Sequence, residues 1–287
     1  TLSLHYALPI LIVNFPAMFK RYLAIASITS LLLLASGCQM LSGKKTFADW
    51  CLEKETLVGE TQHTVEVLLV EAGTENCEEA EEYLAGVTEL ELSDRDLTDI
   101  TPLTSLESVT ALDLSINQIA DLTPLSALTN LTTLEMMGNQ ITDISPLASL
   151  INLTVLDLSI NQISELDIGP LTNLKSLKLT NNQIKDIASI AELTDLTQLK
   201  LNDNQITDVT ALSNLTNLET LNLGSNQITD LAPLSNLINL RELHLSWNQI
   251  TDITPLLDLV ELKELYVRKN AIADANKLCP PQSICYF

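Results

Sequence analysis

A period of 22 residues constrains this chain more than any other feature. A Leu-x-Leu pattern recurs nine times, with Met136 and Val267 in place of the second leucine in two copies, and successive copies begin 22 residues apart except for one step of 21 between Leu156 and Leu177. The nine predicted strand cores are 90–92, 112–114, 134–136, 156–158, 177–179, 199–201, 221–223, 243–245 and 265–267. Such a period is typical of a solenoid, in which each unit packs only against its neighbours.

The first half of each unit predicts a strand followed by a sealed turn. Leu112 and Leu114 alternate with Asp113, so the leucines are expected to point inward and the acid outward. Five residues after the first leucine comes an asparagine, whose amide can satisfy backbone groups that the turn would otherwise leave buried and unpaired. It recurs at Asn117, Asn139, Asn161, Asn182, Asn204, Asn226, Asn248 and Asn270.

The second half of each unit predicts a short 3₁₀ turn. Thr123 and Pro124 suggest its start, with the threonine as N-cap and the proline at the first helical position. In the 21-residue unit the proline is displaced, and Gly169 is expected to relieve the turn. Aspartates of the outer loop, expected to be solvated or to cap the turns, recur at Asp99, Asp121, Asp143, Asp186, Asp208, Asp230 and Asp252.

The composition agrees with stacked repeats. Hydrophobic residues make up 46% of the chain and aromatic residues only 4%, which suits a layered core of aliphatic side chains. The formal net charge of −22 argues against nucleic-acid binding, because phosphate contacts need clustered lysine and arginine.

The N-terminal segment predicts export. Lys20 and Arg21 precede an apolar stretch, residues 22–35, that is short for a membrane span, and small residues at 36–37 come before Cys38. The ending LASGC resembles the lipobox of bacterial lipoproteins, which implies cleavage before Cys38 and attachment of a lipid to that cysteine. The alternative is an ordinary cleaved signal.

The sequence therefore divides into five predicted segments. They are residues 1–37, a signal peptide with an upstream extension before the expected true start at Met18; 38–48, a lipidated tether; 49–86, a helical N-terminal cap; 87–274, the repeats; and 275–287, a C-terminal cap. In the N-terminal cap, helices are predicted over 64–71 and 78–85.

The remaining four cysteines flank the repeats. Each pair is expected to form a local disulfide that staples one end, as Cys51–Cys77 and Cys279–Cys285; the alternative is reduced thiols. Neither pair has the spacing of a metal site. In the N-terminal cap, Cys77, Ala80, Tyr83 and Leu84 fall on one helical face, and at the other end Leu278, Ile284, Tyr286 and Phe287 are expected to cover the last unit.

The repeat unit LTxLxLSxNQITDIxPLxxLTN resembles the leucine-rich repeats of internalins and internalin-like bacterial surface proteins over residues 87–274. The resemblance implies an α/β repeat solenoid of about nine coils. It would be curved, with a parallel sheet on the concave face and short 3₁₀ turns on the convex face. Internalins bind host proteins through the concave face.

The candidate binding residues point outward from the predicted sheet. At the middle position of Leu-x-Leu they change from acidic to basic to polar and aromatic, as Glu91, Asp113, Glu135, Asp157, Lys178, Lys200, Asn222, His244 and Tyr266. Four acids on neighbouring strands repel one another, and the fold gives no evident reason for them. They suggest a graded face for a partner; the alternative is a merely soluble face.

Exposed apolar side chains are the second group of candidates. Ile116, Met137, Ile160 and Trp247 lie just beyond the strands, and interface hot spots favour aromatic residues and methionine. The alternative is packing against a neighbouring loop.

No motif for catalysis, phosphate binding or metal coordination is found, so we expect no enzyme activity, metal or cofactor. The expected function is a monomeric, lipid-anchored bacterial envelope protein that binds a protein of unknown identity through the concave face. The alternatives are an envelope-assembly role without a specific ligand, and glycan binding through Trp247 and Tyr266. Gln39 after Cys38 resembles the sorting signal of outer-membrane lipoproteins, so the outer membrane or cell surface is expected.

Overall fold

A single parallel sheet organises the protein. The computed structural model describes residues 44–287, of which Lys45–Phe287 form one compact unit. Each strand is hydrogen-bonded to the next in chain order. The strands are β1 Glu89–Glu91, β2 Ala111–Asp113, β3 Thr133–Glu135, β4 Val155–Asp157, β5 Ser176–Lys178, β6 Gln198–Lys200, β7 Thr220–Asn222, β8 Glu242–His244, β9 Glu264–Tyr266 and β10 Ile284–Tyr286. The predicted α/β repeat solenoid is confirmed. We call each repeat unit a coil and give it the number of its strand, so that coil 2 contains β2.

The strands begin one residue earlier than predicted. β2 ends at Asp113, so Leu114 follows the strand instead of closing it. Leu114 is nevertheless fully buried, and its N–H donates to the carbonyl oxygen of Glu135 at 2.8 Å. Leu112 pairs with Leu134 of the next strand. The alternation of inward leucines and outward polar residues is therefore as predicted, although the bounds are shifted.

Short 3₁₀ turns lie on the side opposite the sheet. Their bounds are Thr101–Ser105, Thr123–Ala127, Ser145–Ser149, Ala188–Glu192, Thr210–Asn214, Ala232–Asn236, Thr254–Leu256 and Asp274–Asn276. The threonine is not the N-cap: in coil 2 the cap position is Leu122, and no side chain bonds from it. Instead, Asp121 Oδ1 accepts the N–H of Thr123 at 2.8 Å. The predicted threonine cap is wrong because the 3₁₀ turn already includes Thr123, so the threonine is the first residue of the turn and not the residue before it.

The short coil 4 leaves the sheet intact. Leu156 of β4 still pairs with Leu177 of β5, so the missing residue is absorbed between the strands, where the described coil has no 3₁₀ turn. Gly169 is not among the described residues with positive φ. The turn at Gly169 therefore does not use a left-handed backbone.

The core is one continuous stack of aliphatic side chains. Coil 2 contributes Leu112, Leu114, Ile119, Leu122 and Leu125, each at most 2% exposed. Burying such a side chain contributes about 1.5–3 kcal/mol before conformational entropy opposes it. Because each layer is completed by its neighbours, the coils fold together.

The predicted asparagine column forms hydrogen bonds with the buried backbone groups at the turns. Asn139 is 8% exposed, and its Oδ1 accepts the N–H of Ile119 in coil 2 at 3.0 Å. Its Nδ2 donates to the carbonyl oxygens of Leu114 at 3.0 Å and Met136 at 3.1 Å. One amide thus satisfies three buried backbone groups in two coils, and the pattern repeats from Asn117 to Asn270.

Three helices cover coil 1: α1 Phe47–Leu52, α2 Gly59–Ala72 and α3 Cys77–Ala85. α2 and α3 extend the two predicted helices. α1 was not predicted, and it begins within the segment assigned to the tether. A capping box between Thr46 and Asp49 starts it, and this short polar signal is easily missed at the edge of a polar stretch.

The N-terminal cap is held by one covalent bond and by hydrogen bonds to coil 1. The disulfide Cys51–Cys77, expected from the sequence, joins α1 to α3. Thr64 of α2 donates to the carbonyl oxygen of Asp99 at 2.6 Å. Of the predicted helical face, Ala80 and Leu84 are buried, whereas Tyr83 is 49% exposed and lies at the edge of that face.

The C-terminal cap differs from its prediction. Leu278, Ile284 and Phe287 are 50%, 59% and 40% exposed, and Tyr286 is half-buried. The prediction that these four side chains cover the last coil is wrong, because residues 284–286 form the strand β10. Its alternation directs Ile284 and Tyr286 outward.

Cys285 takes the inward place in β10. It pairs with Leu265 of β9, packs against the core, and forms the expected disulfide with Cys279. Pro280 is buried beside it. The end of the stack is therefore closed by a tenth strand and its disulfide rather than by a cluster of large apolar side chains.

Candidate binding face

Two columns of side chains point outward from the sheet, one before and one after the inward residue of each strand. The pre-leucine column contains Glu89, Ala111, Thr133, Val155, Ser176, Gln198, Thr220, Glu242, Glu264 and Ile284. The post-leucine column contains the nine predicted residues and adds Tyr286 from β10. Because neighbouring strands are about 4.8 Å apart, each column is a continuous row of adjacent side chains.

Two acids of the post-leucine column have structural roles. Asp113 Oδ1 accepts the N–H of Ser115 at 2.8 Å, and Asp157 Oδ1 accepts that of Ser159 at 3.0 Å. Asp157 is 8% exposed, and its Oδ2 lies 3.1 Å from Lys178 Nζ. The expectation that the fold gives no reason for these acids is therefore wrong for Asp113 and Asp157.

The two glutamates of this column have no such role. Within residues 44–287, the side chains of Glu91 and Glu135 make no hydrogen bond, and no lysine or arginine pairs with them or with Asp113. Together with Glu89 they line a depression of about 200 Å³, and the small side chain of Ala111 lies among them. We call Glu91, Asp113 and Glu135 the acidic stripe. Its negative charge is not compensated within this part of the chain.

A third outward column lies where the chain leaves each strand. Its residues have φ between 55° and 73°, and they are Asp94, Ile116, Gly138, Ile160, Asn181, Asp203, Ser225, Trp247 and Lys269. We call this the left-handed column. In coils 1–8 the N–H of this residue donates to a carbonyl oxygen of the next coil, as Ile116 does to Met137 at 2.7 Å. The ladder between coils therefore fixes this conformation, whatever residue occupies the position.

Three residues of the left-handed column do not suit its backbone. Glycine, asparagine and aspartate adopt this conformation most readily, whereas Ile116, Ile160 and Trp247 are bulky. They are 54%, 46% and 61% exposed, so they are not buried against a neighbouring loop. A non-glycine residue in this region costs roughly 1–2 kcal/mol. The strain at these positions is thus not offset by burial.

The structure brings the three predicted apolar candidates of coils 2–4 together. Met137 is half-buried in coil 3, and its carbonyl oxygen accepts the N–H of Ile116 in coil 2. The next residue, Gly138, donates to Ser159 at 2.9 Å, immediately before Ile160 in coil 4. An exposed apolar surface therefore runs beside the acidic stripe.

Three aromatic rings stack at the other end of the face. The ring centroids of His244 and Tyr266 are 4.1 Å apart, and those of Tyr266 and Tyr286 are 4.5 Å apart. His244 Nε2 lies 2.6 Å from Glu242 Oε1. The hydroxyl of Tyr266 donates to the carboxylate of Glu264, which raises the pKa of Tyr266 to about 12. Tyr286 was missed as a member of this face; the alternation Ile-Cys-Tyr was the signal that could have found it.

Trp247 lies apart from this stack. Lys269 Nζ, from the next coil, is 5.4 Å from the centroid of its ring, within the range of a cation–π contact. The chain itself therefore supplies a cation to Trp247, whereas the acidic stripe beside Ile116 has no lysine or arginine of residues 44–287 paired with it.

The outer-loop aspartates belong to the scaffold. Each accepts the N–H of the residue two positions later, as predicted for capping, at Asp99, Asp121, Asp143, Asp186, Asp208, Asp230 and Asp252. The hydroxyl and N–H of Thr210 hold the pKa of Asp208 below its usual range. Among residues 44–287, no group of histidine, cysteine and acidic side chains is arranged to hold a metal ion.

Two larger depressions lie away from the middle of the sheet face. One, of about 650 Å³, lies between the 3₁₀ turns of coils 5 and 6, where Ala188 and Ala211 replace larger side chains. The other, of about 690 Å³, follows the edge before the strands, between Lys175 and Arg241. Neither contains a predicted site residue.

Cys38 and the signal segment lie outside the described residues. Within residues 44–287, no helix has the length and apolar character needed to cross a bilayer.

Many solved structures resemble the chain, among them the following three. Internalin C2 of Listeria monocytogenes is 37% identical, with a TM-score of 0.66, over 70% of this chain and 90% of that one. A leucine-rich-repeat protein of Leptospira interrogans is 31% identical, with a TM-score of 0.63, over 66% of this chain and 52% of that one. The ectodomain of the Arabidopsis thaliana receptor kinase GASSHO1/SCHENGEN3, solved in complex with Casparian strip integrity factor 2, is 28% identical, with a TM-score of 0.56, over 60% and 23%.

The family model for a leucine-rich repeat region matches residues 104–287. No protein with a curated description matches the sequence. The repeat geometry, the family model and the likeness to internalin C2 agree: the chain belongs to the internalin-like leucine-rich-repeat proteins.

Proposed function

We propose that this protein is a monomeric, lipid-anchored component of a bacterial envelope that binds a protein partner through its concave face. The observation that carries the proposal is the contrast between the face and the scaffold. The leucines, asparagines and outer-loop aspartates all serve the fold, whereas Glu91, Glu135 and Trp247 are outward residues for which the fold has no evident use.

The family supports protein binding in general. Leucine-rich-repeat solenoids offer extended concave surfaces, and the plant ectodomain noted above was solved with its bound factor. The face is also chemically uneven, with carboxylates at one end and aromatic rings with Arg268 and Lys269 at the other. A partner of complementary pattern would meet it in one orientation.

The glycan alternative has less support than protein binding. Sugars stack on a free aromatic ring face, but His244 and Tyr286 stack on the two sides of Tyr266. Trp247 has Lys269 over its ring. A passive role in envelope assembly does not account for strained, exposed isoleucines. We therefore keep protein binding as the leading function.

Crosslinking with variant proteins tests the face. The compact unit of residues 45–287 would be crosslinked in an envelope extract as wild type, Glu135→Lys, Trp247→Ala and Glu165→Lys. Glu165 is exposed on the outer loop of coil 4, so its variant carries the same charge change away from the face. A partner lost from Glu135→Lys or Trp247→Ala but kept by Glu165→Lys supports the proposal. A partner kept equally by all variants contradicts it.

The anchor has a separate test. In cells, Cys38→Ser should move the protein from the membrane fraction to the soluble fraction, because a lipid on that cysteine is the proposed attachment. Continued membrane fractionation of the variant would show that another element anchors the chain.

A further inference from the structure

We propose that the partner presents an apolar side chain with lysine or arginine close to it, and that the apolar side chain inserts between Ile116 and Ile160 above Gly138. This inference rests on the proposed function and specifies the chemistry of the partner. We call Ile116, Met137, Gly138 and Ile160 the isoleucine notch.

The notch exists because glycine occupies the middle coil. A Cβ built on Gly138 would lie 3.7 Å from Ile116 Cα and 3.8 Å from its Cγ1. Every other described member of the left-handed column has a side chain. Ile116 and Ile160 are two coils apart, about 10 Å between backbones, which leaves room for roughly one aliphatic or aromatic side chain between them. Met137 adds an apolar wall in the same coil as Gly138.

The scaffold gives no reason for isoleucine at these two positions. The backbone is left-handed there with φ of 56° at both residues, and β-branched side chains are disfavoured in this region. The same position holds Asn181, Asp203 and Ser225 in the following coils. Strain of this kind persists where the surrounding structure imposes it, and it is characteristic of functional sites. Contact with a partner would bury the apolar surface that the isolated protein leaves exposed.

Charge defines the surroundings of the apolar side chain. Coil 3 holds Glu135 as well as Met137 and Gly138, and Asp113 precedes Ile116 in coil 2. No lysine or arginine of residues 44–287 pairs with these carboxylates. The depression of about 200 Å³ at the acidic stripe leaves space for a long cationic side chain. A basic neighbour of the inserted residue would be attracted, and an acidic one repelled.

The chain offers an internal comparison in coil 8. There the left-handed column also carries a large apolar residue, Trp247, and the cation beside it comes from Lys269 of the same protein. In coils 2–4 the neighbouring charges are negative instead. The cation that completes this arrangement would therefore come from the partner.

Methyl NMR on residues 45–287 tests the notch with defined probes. The first probe is a short synthetic peptide with a central leucine and a lysine two positions to either side. A second peptide replaces the leucine by serine, and a third replaces the lysines by glutamates. The methyl signals of Ile116, Ile160 and Met137 should shift saturably with the first peptide. Binding should be about tenfold weaker with the serine peptide, because the buried apolar contact is lost. The glutamate peptide should leave the three signals unchanged.

Variants of the left-handed column give the matched control. Gly138→Asn fills the notch with a residue that the same backbone accepts at position 181, and it should abolish the shifts while the fold is kept. Asn181→Gly makes the reverse change in coil 5 and should leave binding unchanged. Equal binding of the leucine and serine peptides, retention of binding by Gly138→Asn, or the absence of notch shifts with every peptide would overturn the proposal.

The natural partner separates this inference from the proposed function. A partner that is lost from Glu135→Lys or Trp247→Ala but binds Gly138→Asn normally would leave concave-face binding in place and refute the notch. A partner that also fails to bind Gly138→Asn, while binding Asn181→Gly, supports both.

Discussion

Asp157 and Lys178 face each other across adjacent strands, with 3.1 Å between Oδ2 and Nζ. They lie where the side chains of the post-leucine column change from negatively to positively charged, with the acidic stripe on one side and Lys200 on the other. The acidic half therefore ends in a compensated pair, whereas no lysine or arginine of residues 44–287 pairs with the acidic stripe. A partner would meet the uncompensated charges first, because fields from exposed ions extend about 10 Å at moderate salt.

Removing the carboxylate should destabilise the fold more at Asp157 than at Asp113. Both side chains accept a backbone N–H, but only Asp157 also pairs with a lysine. We expect Asp113→Ala to lose about 1 kcal/mol and Asp157→Ala about 2 kcal/mol of unfolding free energy. Urea unfolding of the two variants measures the difference. Equal losses would mean that the ion pair contributes nothing.

The asparagine column should be far more sensitive in the middle than at its end. Asn139→Ala leaves the buried N–H of Ile119 without its acceptor and removes one of the two amide donors to each carbonyl oxygen of Leu114 and Met136, and we expect a loss of about 3 kcal/mol. Asn270 is only half-buried, so water can replace the amide, and Asn270→Ala should lose about 1 kcal/mol. Thermal unfolding should follow the same order. A larger loss at Asn270 would contradict the sealing role.

Relieving the backbone strain should stabilise the protein. Ile116→Asn replaces a β-branched residue at φ of 56° by one that this conformation favours, so unfolding free energy should rise by about 1 kcal/mol. The reverse change, Asn181→Ile, should lower it by about 1 kcal/mol at a φ of 55°. If Ile116→Asn instead destabilises the fold, the isoleucine is a structural residue and the argument for a strained site fails.

Low pH should lower the stability of the fold because it protonates the outer-loop aspartates that cap the 3₁₀ turns. Hydrogen bonds to the backbone and hydroxyl of the residue two positions on lower the folded pKa of Asp143 and Asp252. The stabilisation by these aspartates is therefore complete when the pH is above their unfolded-state pKa of about 3.9. It is lost as the pH falls through their lower folded-state pKa. The melting temperature should be nearly flat between about pH 7 and 5 and should fall below about pH 4.

One variant distinguishes this mechanism from general acid unfolding. Asn at position 252 still accepts the N–H of Thr254 but carries no titrating group, so Asp252→Asn should reduce the acid-induced loss while keeping most stability at neutral pH. An unchanged acid profile would assign the loss to other carboxylates.

The scaffold could be predicted because its signals repeat. Leucine spacing, the asparagine and the aspartate each occur in most coils, and each has the same role wherever it recurs. The errors arose where a role depends on a neighbour. Thr123 suits an N-cap by itself, but the turn begins at Thr123, and Asp121 two residues earlier accepts its N–H. Likewise, Asp113 looked like surface charge until its bond to Ser115 was known.

The candidate site was predictable in its members but not in its geometry. The sequence marks Ile116 and Ile160 as large apolar residues outside the core. It does not reveal that they share a left-handed backbone or that Gly138 opens a space between them. That conformation comes from hydrogen bonds between coils, not from the local residue type. β10 escaped prediction for a similar reason, since pairing with β9 and not leucine spacing defines it.

The direction of the asparagine contacts has a consequence for how such a protein changes length. Asn139 reaches back to coil 2 and to its own coil, and its contacts extend no further. A whole coil could therefore be deleted or duplicated, and the flanking coils would rejoin with the same bonds. Each event would move the acidic stripe and the aromatic stack by about 4.8 Å relative to each other. The distance between the two recognition elements would thus change in fixed steps of one coil, while the chemistry of each element stays the same.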